Sequence, residues 1–521
     1  MNFKKLKSEK GITLIALIIT IITLLILAGV SILTLTGDNG ILTRTKSAKK
    51  TSEIAGIKEE IKTEIIAEQA GNEGNISESA LKTILEKYGT INKDEDGKTI
   101  KSITTKKEGY EIAMSDIWDG TATKYMASEP NVSNIANKTY VTWAEKDGTY
   151  EINDTQTTKP SDWYDYENGK WANIKTAKDG LEAYWVWIPR FEYVVPTSTI
   201  ATEIDVKFIS KSKTTADSGY TIHPAFTWKK TENGKTMTKE LDGIWVAKFE
   251  ASSNTETPDT NYGGGDTTSL QVQIKPGTQS WRNISTKNMF TVCRDIQKTG
   301  VLAGSTNVDS HMMKNIEWGA VAILSQSKYG VYNPKSSTGL ISNGGDGTLR
   351  VWNNPNGYNS GKYIYTGYAG DNADTSTYWA QPSEPTNMYF YNTINGTKAS
   401  TTGTVYGVYD MAGGSSEYVA GCLRGQENSK FGVTAGDNTY VDLYTNKSGS
   451  YSDYSGAITG DATKETKGWN SDWSYFVNSS DPVFGRGGEF GEGGDLPGVF
   501  ASYAFSGFPL NGGGFRVCLA F

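Results

Sequence analysis

A long apolar stretch close to the N-terminus constrains this chain more than any other feature. Residues 12–36 contain no charged residue and no proline, and about 20 apolar residues in a helix cross the ~30 Å core of a bilayer. Four lysines precede the stretch: Lys4, Lys5, Lys7 and Lys10. Such a basic flank keeps the extreme N-terminus in the cytoplasm. The sequence therefore predicts a single membrane-spanning helix that sends the rest of the chain outward.

The junction between the lysines and the apolar stretch contains a candidate processing point. A secretory signal is cleaved after its apolar region, whereas here the processing residues Gly11 and Ile12 precede it. This arrangement resembles the class III leader of type IV pilins and pseudopilins. The resemblance implies a leader at 1–11, cleavage by a prepilin peptidase, methylation of Ile12, and packing with other pilins in a filament. Ala16 departs from the family's usual glutamate, and a plain signal anchor is the alternative interpretation.

The residues that follow predict a helical continuation and a small head. Four isoleucines recur three and four positions apart: Ile54, Ile57, Ile61 and Ile65. This spacing places them on one face of a helix, so we expect one pilin helix over 12–70. The stripe either packs under a head or belongs to a solvent-facing spacer. A short helix ending at Tyr88 and paired strands at 99–104 and 109–114 predict a small pilin-like α+β head over 71–118.

Composition and scattered reactive residues exclude several classes of function. The net charge of −7 gives no basic face for nucleic acid. Three cysteines without a close pair, Cys293, Cys422 and Cys518, match neither a zinc spacing nor a disulfide framework. The two histidines, His223 and His311, stand alone, and we expect both to pack in the core or at the surface. We therefore predict no catalytic residue and no metal ligand.

Beyond residue 118 the sequence is polar and then changes character. Residues 119–180 predict a linker or an irregular segment. From Tyr184 the run YWVWIPRFEYVV predicts one buried strand, and Gly243 to Ser252 predicts a second. Residues 314–324 have the apolar spacing of a helix.

The last residues alternate in character, as a strand does. Phe515, Val517, Leu519 and Phe521 point to one side of such a strand. We expect this terminal strand to pair with the strand Trp185–Tyr193.

Six motifs then occur in a recognisable order. They are WVWIP (185–189), KFEAS (248–252), Glu317-Trp318, YDMAGGSSEY (409–418), GRGG (485–488) and GFRVC (514–518). The order resembles the formylglycine-generating-enzyme/sulfatase-modifying-factor family, which has a C-type-lectin-like fold. The resemblance implies such a domain over 181–521, and the whole chain is then expected to be α+β.

The resemblance also raises the possibility of an oxidase. Oxidase members of the family use a cysteine pair to hold copper, and no cysteine occurs in 489–513. Cys518 alternates with core positions and is expected to be a small core residue. We therefore expect no enzyme activity and no cofactor, with a formylglycine-type oxidase as the alternative.

The family's GNVWEW core is altered in this chain. Gly413 and Glu417 keep their places, whereas Gly414, Ser416 and Tyr418 replace an asparagine and two tryptophans. A calcium ion bound by Glu417 and backbone oxygens is a further alternative.

The C-terminal stretch 469–521 resembles the variable region of proteins diversified by diversity-generating retroelements. The resemblance implies a fixed framework of Arg486, Gly487, Gly488, Gly498, Val499, Phe500, Gly507, Gly514, Phe515 and Arg516, in which both arginines are paired internally. The positions between them form the candidate ligand-binding set: Trp473, Tyr475, Phe476, Glu489, Phe490, Glu492, Asp495, Leu496, Ser502, Tyr503, Phe505, Phe508 and Leu510. Interleaved aromatic and polar residues without strand or helix period are typical of a binding surface. Ordinary loop and core packing is the alternative.

These observations predict a surface-displayed, pilin-anchored binding or adhesion protein. It would be single-pass in the cell membrane, or part of a pilus, with its C-terminal domain outside. The expected partners are an extracellular protein or glycan ligand, the membrane, other pilins and a prepilin peptidase. A structural minor pilin whose large head caps a filament is the other non-enzymatic alternative.

Overall fold

The computed structural model divides into two compact units, Met1–Thr123 and Lys124–Phe521. The structure describes residues 18–23, 41–71, 76, 78–93, 100–117, 127–197, 202–232, 235–255, 263–332, 364–369, 389–469, 472–488 and 498–521. The predicted processing residues Gly11 and Ile12 lie outside these ranges. Of the predicted membrane span, only 18–23 is described, and it is helical. Within the described ranges, no helix is both long enough and apolar enough to cross a membrane.

Among its described residues from 41 onward, the first unit contains three helices and one small antiparallel sheet. Its elements in chain order are helix α1 (Ile41–Gly71), helix α2 (Glu78–Tyr88), strands β1 (Gly89–Lys93), β2 (Ile100–Thr105) and β3 (Glu111–Ala113), and helix α3 (Met114–Ile117). The strands are ordered β1-β2-β3, and the pairing predicted for 99–104 with 109–114 is that of β2 with β3.

The isoleucine stripe of α1 lies against the rest of the first unit. Ile61 and Ile65 are buried, whereas Ile54 and Ile57 are half-buried, and α1 contacts both α2 and α3. The Glu64 carboxylate accepts hydrogen bonds from Lys87 and from the Tyr88 hydroxyl, the latter at 2.8 Å. The stripe therefore packs within the first unit, where α1 contacts the two shorter helices, and the alternative of a solvent-facing spacer does not hold for Ile61 and Ile65.

The second unit is built mainly from strands. They are β4 (Lys138–Lys146), β5 (Thr149–Gln156), β6 (Asn173–Lys178), β7 (Leu181–Pro189), β8 (Phe191–Val194), β9 (Asp205–Phe208), β10 (Thr221–Ile222), β11 (Thr227–Glu232), β12 (Lys235–Glu240), β13 (Gly243–Ala247), β14 (Ser252–Ser253), β15 (Val272–Gln273), β16 (Asp309–Met312), β17 (Tyr368–Ala369), β18 (Tyr389–Phe390), β19 (Ser416–Leu423), β20 (Asp442–Tyr444), β21 (Val483–Arg486), β22 (Ser502–Phe505), β23 (Gly513–Phe515) and β24 (Val517–Ala520). Its α-helices are α4 (Thr286–Thr299), α5 (Asn315–Ser325) and α6 (Glu427–Phe431), and short 3-10 turns cover Tyr166–Asn168, Pro224–Phe226 and Gly396–Ala399. The second unit thus combines a few helices with mainly antiparallel sheets, as predicted for an α+β protein.

A seven-stranded antiparallel sheet forms the centre of this unit, in the order β16-β24-β13-β7-β6-β4-β5. Strand β7 is almost wholly buried, because both of its faces are covered, and its sequence is accordingly an unbroken run of bulky residues. Helix α4 packs on β16 through residues at helical spacing that include Met289, Cys293 and Ile296. Helix α5 is buried along its whole length, which confirms the helix predicted for 314–324 to within one residue.

A second sheet holds the C-terminal region, in the order β20-β19-β21-β22. Strand β19 is its axis: residues 421–423 pair with β20, 416–418 pair with β23, and the opposite edge pairs with β21. The chain leaves this sheet after Phe515 and enters the central sheet at Val517. The last residues therefore connect the two sheets.

Three sequence-based expectations for this unit were wrong. The terminal strand β24 pairs with β13 and β16 rather than with the strand at 185–193, because β13 lies between them. The run beginning at Tyr184 is two strands in different sheets, β7 and β8. Residues 138–178, expected within the linker or irregular segment 119–180, supply three strands of the central sheet. Hydrophobic runs did not reveal them, because β5 is an exposed edge strand and β4 and β6 are only partly buried.

The position of β24 predicts a large stability effect from its centre. Leu519 is fully buried between Trp245 of β13 and Ser310 of β16, so Leu519→Ala should lower the free energy of unfolding by about 2–5 kcal/mol. The matched control is Met237→Ala, whose side chain is 55% exposed and should change stability by less than about 0.5 kcal/mol. Urea unfolding followed by tryptophan fluorescence measures both, since every tryptophan except Trp118 lies in the second unit. Equal effects of the two substitutions would contradict this placement of β24.

Candidate functional site

Arg516 stands where the chain passes from one sheet to the other. Its Nη1 donates to the carbonyl oxygen of Ala247 in β13 at 2.7 Å, and its Nη2 donates to that of Tyr409 at 2.8 Å. Its Nε donates to Glu417 Oε2 in β19 at 3.0 Å, and Nη2 reaches the other oxygen of the same carboxylate. One fully buried guanidinium therefore ties both sheets together.

The pair between Arg516 and Glu417 is charged. Burial works against the guanidinium, but Glu417 and two further acids hold the pKa of Arg516 above its usual range. Burial also raises the pKa of the Glu417 carboxyl, and the guanidinium opposes that rise through two hydrogen bonds. Because bidentate hydrogen bonding of this kind is charge-assisted, we take both groups as ionised.

Arg486 closes the other end of the framework. Its guanidinium donates to Asn315 Oδ1 at 3.0 Å and to the carbonyl oxygens of Asp461 and Ala462 at 3.0 and 3.1 Å. Gly487 follows with a φ of +83°, and a Cβ there would lie 2.9 Å from the Met411 carbonyl oxygen. The turn therefore requires glycine, as the resemblance implied. Both framework arginines are paired internally, but Arg486 bonds to an amide and to backbone rather than to a carboxylate.

A row of aromatic rings runs along the outer edge of this sheet. We call it the aromatic row: Tyr451, Tyr475, Trp473, Tyr503 and Phe505. Successive ring centroids are 4.8, 4.8, 6.4 and 5.8 Å apart. The planes of Trp473 and Tyr503 differ by 10°, and those of Tyr503 and Phe505 by 4°. Aromatic contacts at these separations add to the stability that area burial gives, so the rings support each other in one arrangement.

Backbone pairing holds the row in place. Residues 473–475 run alongside β22: Tyr475 N–H donates to the Ser502 carbonyl oxygen at 2.8 Å, and Ser502 N–H donates to that of Trp473 at 2.8 Å. Tyr503 and Phe505 alternate along β22 and so lie on one face. The Phe505 ring lies across Gly485 of β21, where a Cβ would collide with it. The row is therefore supported by two strands and by a glycine beneath it.

The predicted ligand-binding residues divide by exposure. Phe508 is 65% exposed and Tyr475 is 37% exposed. Trp473, Phe505 and Leu510 are half-buried, whereas Tyr503 is 7% exposed. We call these six residues the candidate face. The other predicted positions 489, 490, 492, 495 and 496 (Glu489, Phe490, Glu492, Asp495 and Leu496) lie outside the described residues.

Two of the predicted residues, Phe476 and Ser502, point inward, and we remove them from the face. Phe476 is fully buried against the rings of Tyr444, Tyr454 and Phe484, because successive residues of an extended chain point to opposite sides and Tyr475 takes the outer one. The Ser502 hydroxyl donates to the Tyr475 carbonyl oxygen at 3.1 Å. Both residues support the face from within.

Three neighbours of the face were missed by sequence reasoning. Tyr451 begins the aromatic row, and its hydroxyl donates to Asp481. Tyr418 packs edge-on against Phe505 at 5.5 Å and donates to the Phe508 carbonyl oxygen at 3.0 Å. Lys430 Nζ lies 4.9 Å from the centre of the Phe508 ring. No periodic pattern links these residues to 473–510, so the sequence carries no signal for them.

The three cysteines do not form a reactive surface site. Cys293, Cys422 and Cys518 are free and buried, and burial raises the pKa of each thiol, to about 12 for Cys422. Since the thiolate is the nucleophile and the metal ligand, thiols in this state are poorly suited to either role.

Among the residues that the structure describes, no group of three or more His, Cys, Asp and Glu side chains is arranged to hold a metal ion. Both carboxylate oxygens of Glu417, the residue considered for calcium, accept hydrogen bonds from Arg516.

The two histidines are buried in different electrostatic states. His223 accepts from Ala225 N–H through Nδ1 at 3.2 Å and contacts the Gly460 carbonyl oxygen through Nε2 at 2.9 Å. Burial lowers the pKa of His223 to about 3, so its ring is neutral. His311 lies between two carboxylates, Asp309 at 3.0 Å and Glu317 at 3.0 Å. Burial opposes its charge, but the two carboxylates outweigh this and raise the pKa of His311 to about 9.

The state of His311 predicts a pH dependence of stability. Its pKa is raised from 6.5 to about 9 in the folded chain, so its contribution is complete below ~6.5 and is lost as the pH rises through about 9. We expect wild-type stability to fall across this window by up to about 3 kcal/mol, and His311→Gln to lack this part of the decline. Urea unfolding at a series of pH values measures the difference in slope. Parallel pH profiles for the two chains would contradict a charged His311.

Comparisons with known proteins find likeness among solved structures only. A scan against family models finds no match, and a comparison with curated proteins finds none either. Among solved structures, the chain is similar to Treponema denticola variable protein 1, with a TM-score of 0.25 and 10% sequence identity, over 66% of this chain and 98% of that chain. At this level of likeness, the function has to be argued from the residues of the chain itself.

Proposed function

We propose that this chain is a surface-displayed binding protein whose candidate face recognises an extracellular protein or glycan. The observation that carries the proposal is the aromatic row, which reaches solvent at Tyr475. At its other end, Tyr418 packs on Phe505 and donates to the carbonyl oxygen of the exposed Phe508. Contiguous exposed apolar patches, unlike single exposed rings, mark interaction sites. Rings held by their neighbours lose little conformational freedom on binding.

The electrostatic setting of the face supports recognition rather than simple packing. Lys430 lies over the Phe508 ring and Asp481 accepts from Tyr451, so charged groups of both signs flank the rings. Binding surfaces commonly combine a few aromatic anchors with a polar rim. The framework beneath is fixed by the buried charges of Arg516 and Glu417, which suits a surface that must keep its shape while its exposed residues differ between copies of the gene.

The same framework supports the further proposal that a retroelement diversifies the face. The framework positions Arg486, Gly487 and Arg516 are buried, whereas Tyr475 and Phe508 are exposed, so substitution at the exposed positions would leave the fold intact. A near-copy of the codons for 469–521 that differs at adenines, next to a reverse transcriptase gene, would support this proposal. Its absence from the genome would contradict it.

We further propose that the N-terminal segment anchors the protein as a pilin does. The leader motif at Gly11–Ile12 carries this proposal, and the burial of Ile61 and Ile65 within the first unit is compatible with a pilin headgroup. The N-terminal peptide of the cellular protein should begin at a methylated Ile12. A peptide that retains residues 1–11 would favour the plain signal anchor.

Neither alternative role is favoured by a specific observation. A formylglycine-type oxidase requires an accessible cysteine pair, and all three cysteines are buried. Copper-dependent oxidation of a cysteine peptide by the full chain would establish the oxidase activity and would contradict the binding proposal. A structural minor pilin predicts that deletion of 181–521 abolishes filament assembly rather than attachment.

The binding proposal predicts that the exposed rings dominate affinity. A ligand is first selected as one that the full chain retains on a glycan array or an array of extracellular protein domains. Tyr475→Ala and Phe508→Ala should each weaken its binding about tenfold or more, which corresponds to ~1.4 kcal/mol or more for an aromatic anchor. Titration calorimetry measures the affinities, and thermal unfolding checks that each variant is folded.

The matched control is Ile394→Ala, an apolar side chain that is 44% exposed outside the candidate face. It should leave the affinity unchanged. Wild-type affinity in folded Tyr475→Ala and Phe508→Ala chains would remove the candidate face from the proposal.

A further inference from the structure

A buried lysine and a buried aspartate meet where helix α5 begins. Lys314 immediately precedes α5, and Asp442 opens strand β20. The Lys314 Nζ lies 3.9 Å from Asp442 Oδ1, and the two side chains are only 6% and 7% exposed. Among the lysine–carboxylate pairs of the described residues, no other has both side chains below one-tenth exposure.

The distance between the two groups is longer than a hydrogen bond. Placing two opposite charges in the interior costs several kcal/mol for each ion, and only close contact offsets this cost. Burial raises the pKa of Asp442 to about 6, although Lys314 and the Ile316 N–H oppose the rise. The neutral form of the Asp442 carboxyl group is therefore accessible near neutral pH.

The surroundings of the pair are apolar or fixed by hydrogen bonds. The Trp228 ring centre lies 5.7 Å from Lys314 Nζ. The Lys314 backbone N–H donates to Glu317 Oε2 at 2.8 Å, and Glu317 is itself held by His311. These contacts restrict the backbone from which the lysine projects. Asp442 Oδ2 accepts from Ile316 N–H at 2.8 Å, at the N-terminus of α5, so the carboxyl group is held with Oδ1 towards the amine.

We infer that Lys314 and Asp442 form a site of intramolecular amide bond formation, in which the lysine side chain becomes covalently joined to the aspartate side chain. A well-oriented intramolecular pair gains a large effective concentration over the same groups in solution. Exclusion of water from a buried site also opposes hydrolysis of the product.

The reaction needs no oxidant and no other reactant. The ammonium passes one proton to the carboxylate, and the neutral amine attacks Asp442 Cγ. As negative charge develops on Oδ2, the Ile316 N–H and the positive end of the helix stabilise it. The Cγ–Oδ1 bond then breaks, and Oδ1 leaves as water with two of the three protons that began on the lysine nitrogen. The products are one amide bond, between Nζ and Cγ, and one water molecule.

A second pair in the same unit provides a natural control. Lys175 Nζ lies closer to its partner Asp154, at 2.8 Å, but the two side chains are 15% and 17% exposed. Burial opposes the charge of Asp154, but Lys175 and Tyr184 outweigh it and hold the pKa of Asp154 below its usual range. This pair is an ordinary ion pair between stable charges, and we expect it to remain non-covalent.

Mass spectrometry of a tryptic digest of the full chain tests the inference. The bond would block cleavage after Lys314, so residues 299–328 and 431–447 should appear as one branched peptide whose mass is their sum less one water molecule. Residues around Lys175 should appear as ordinary linear peptides. Fragmentation of the branched peptide should locate the junction at Lys314 and Asp442.

Two substitutions check the chemistry. Lys314→Met removes the nucleophile and should abolish the branched peptide. Asp442→Asn should give a branched peptide of the same mass as that of the wild type, because ammonia leaves in place of water. If either variant fails to fold, the digest of the wild-type chain still shows whether Lys314 and Asp442 are covalently joined. Full recovery of separate linear peptides 299–314 and 431–447 from the wild-type chain would overturn the proposal.

Discussion

One buried ion pair fixes the relation between the central sheet of the second unit and the sheet built around β19. The Arg516 guanidinium satisfies the carboxylate of Glu417 in one sheet and the Ala247 carbonyl oxygen in the other. Removing one member of such a pair leaves an uncompensated charge in the interior, at a typical cost of about 3–5 kcal/mol. We therefore expect replacement of either residue alone to destabilise the second unit strongly.

This constraint explains why the C-terminal residues can carry a recognition surface. Strand β23 pairs with β19 next to Glu417, and β24 continues into the central sheet beside β13. Strands β21 and β22 extend the second sheet outward from β19, and the aromatic row lies on its edge. The charges of Arg516 and Glu417 are thus buried, whereas the exposed rings of Tyr475 and Phe508 lie elsewhere in the sequence, at the surface. We therefore expect variation at the exposed rings to leave the Arg516–Glu417 pair undisturbed.

Local pattern predicted much of this organisation, and long-range contacts account for what it missed. The stripe of Ile61 and Ile65 and the helix at 314–324 follow from helical spacing, which is a local property. The partner of the terminal strand depends on which buried strand lies next to it, and β13 and β7 are equally apolar in sequence. The strands in 138–178 were missed because β5 is an exposed edge strand and β4 and β6 are only partly buried, so none of the three has an unbroken apolar run.

The candidate site shows the same division. The framework positions Arg486, Gly487 and Arg516 follow from motif order, and each is buried where a charge or a positive φ requires that residue type. The inward turn of Phe476 depends on alternation within a short segment that carries no recognisable strand pattern. Tyr451 and Lys430 reach the face from distant positions in the chain, so only the folded arrangement reveals them.

Native-state hydrogen exchange of the full chain tests most directly whether the buried pair holds a rigid framework beneath the face. We predict that the amides of 416–420 and 513–519 exchange only through global unfolding of the second unit, with the slowest rates in that unit. The amides of 506–511 should exchange faster, through local opening. Exchange of 416–418 and 513–515 at the rate of the surface loops would contradict the account.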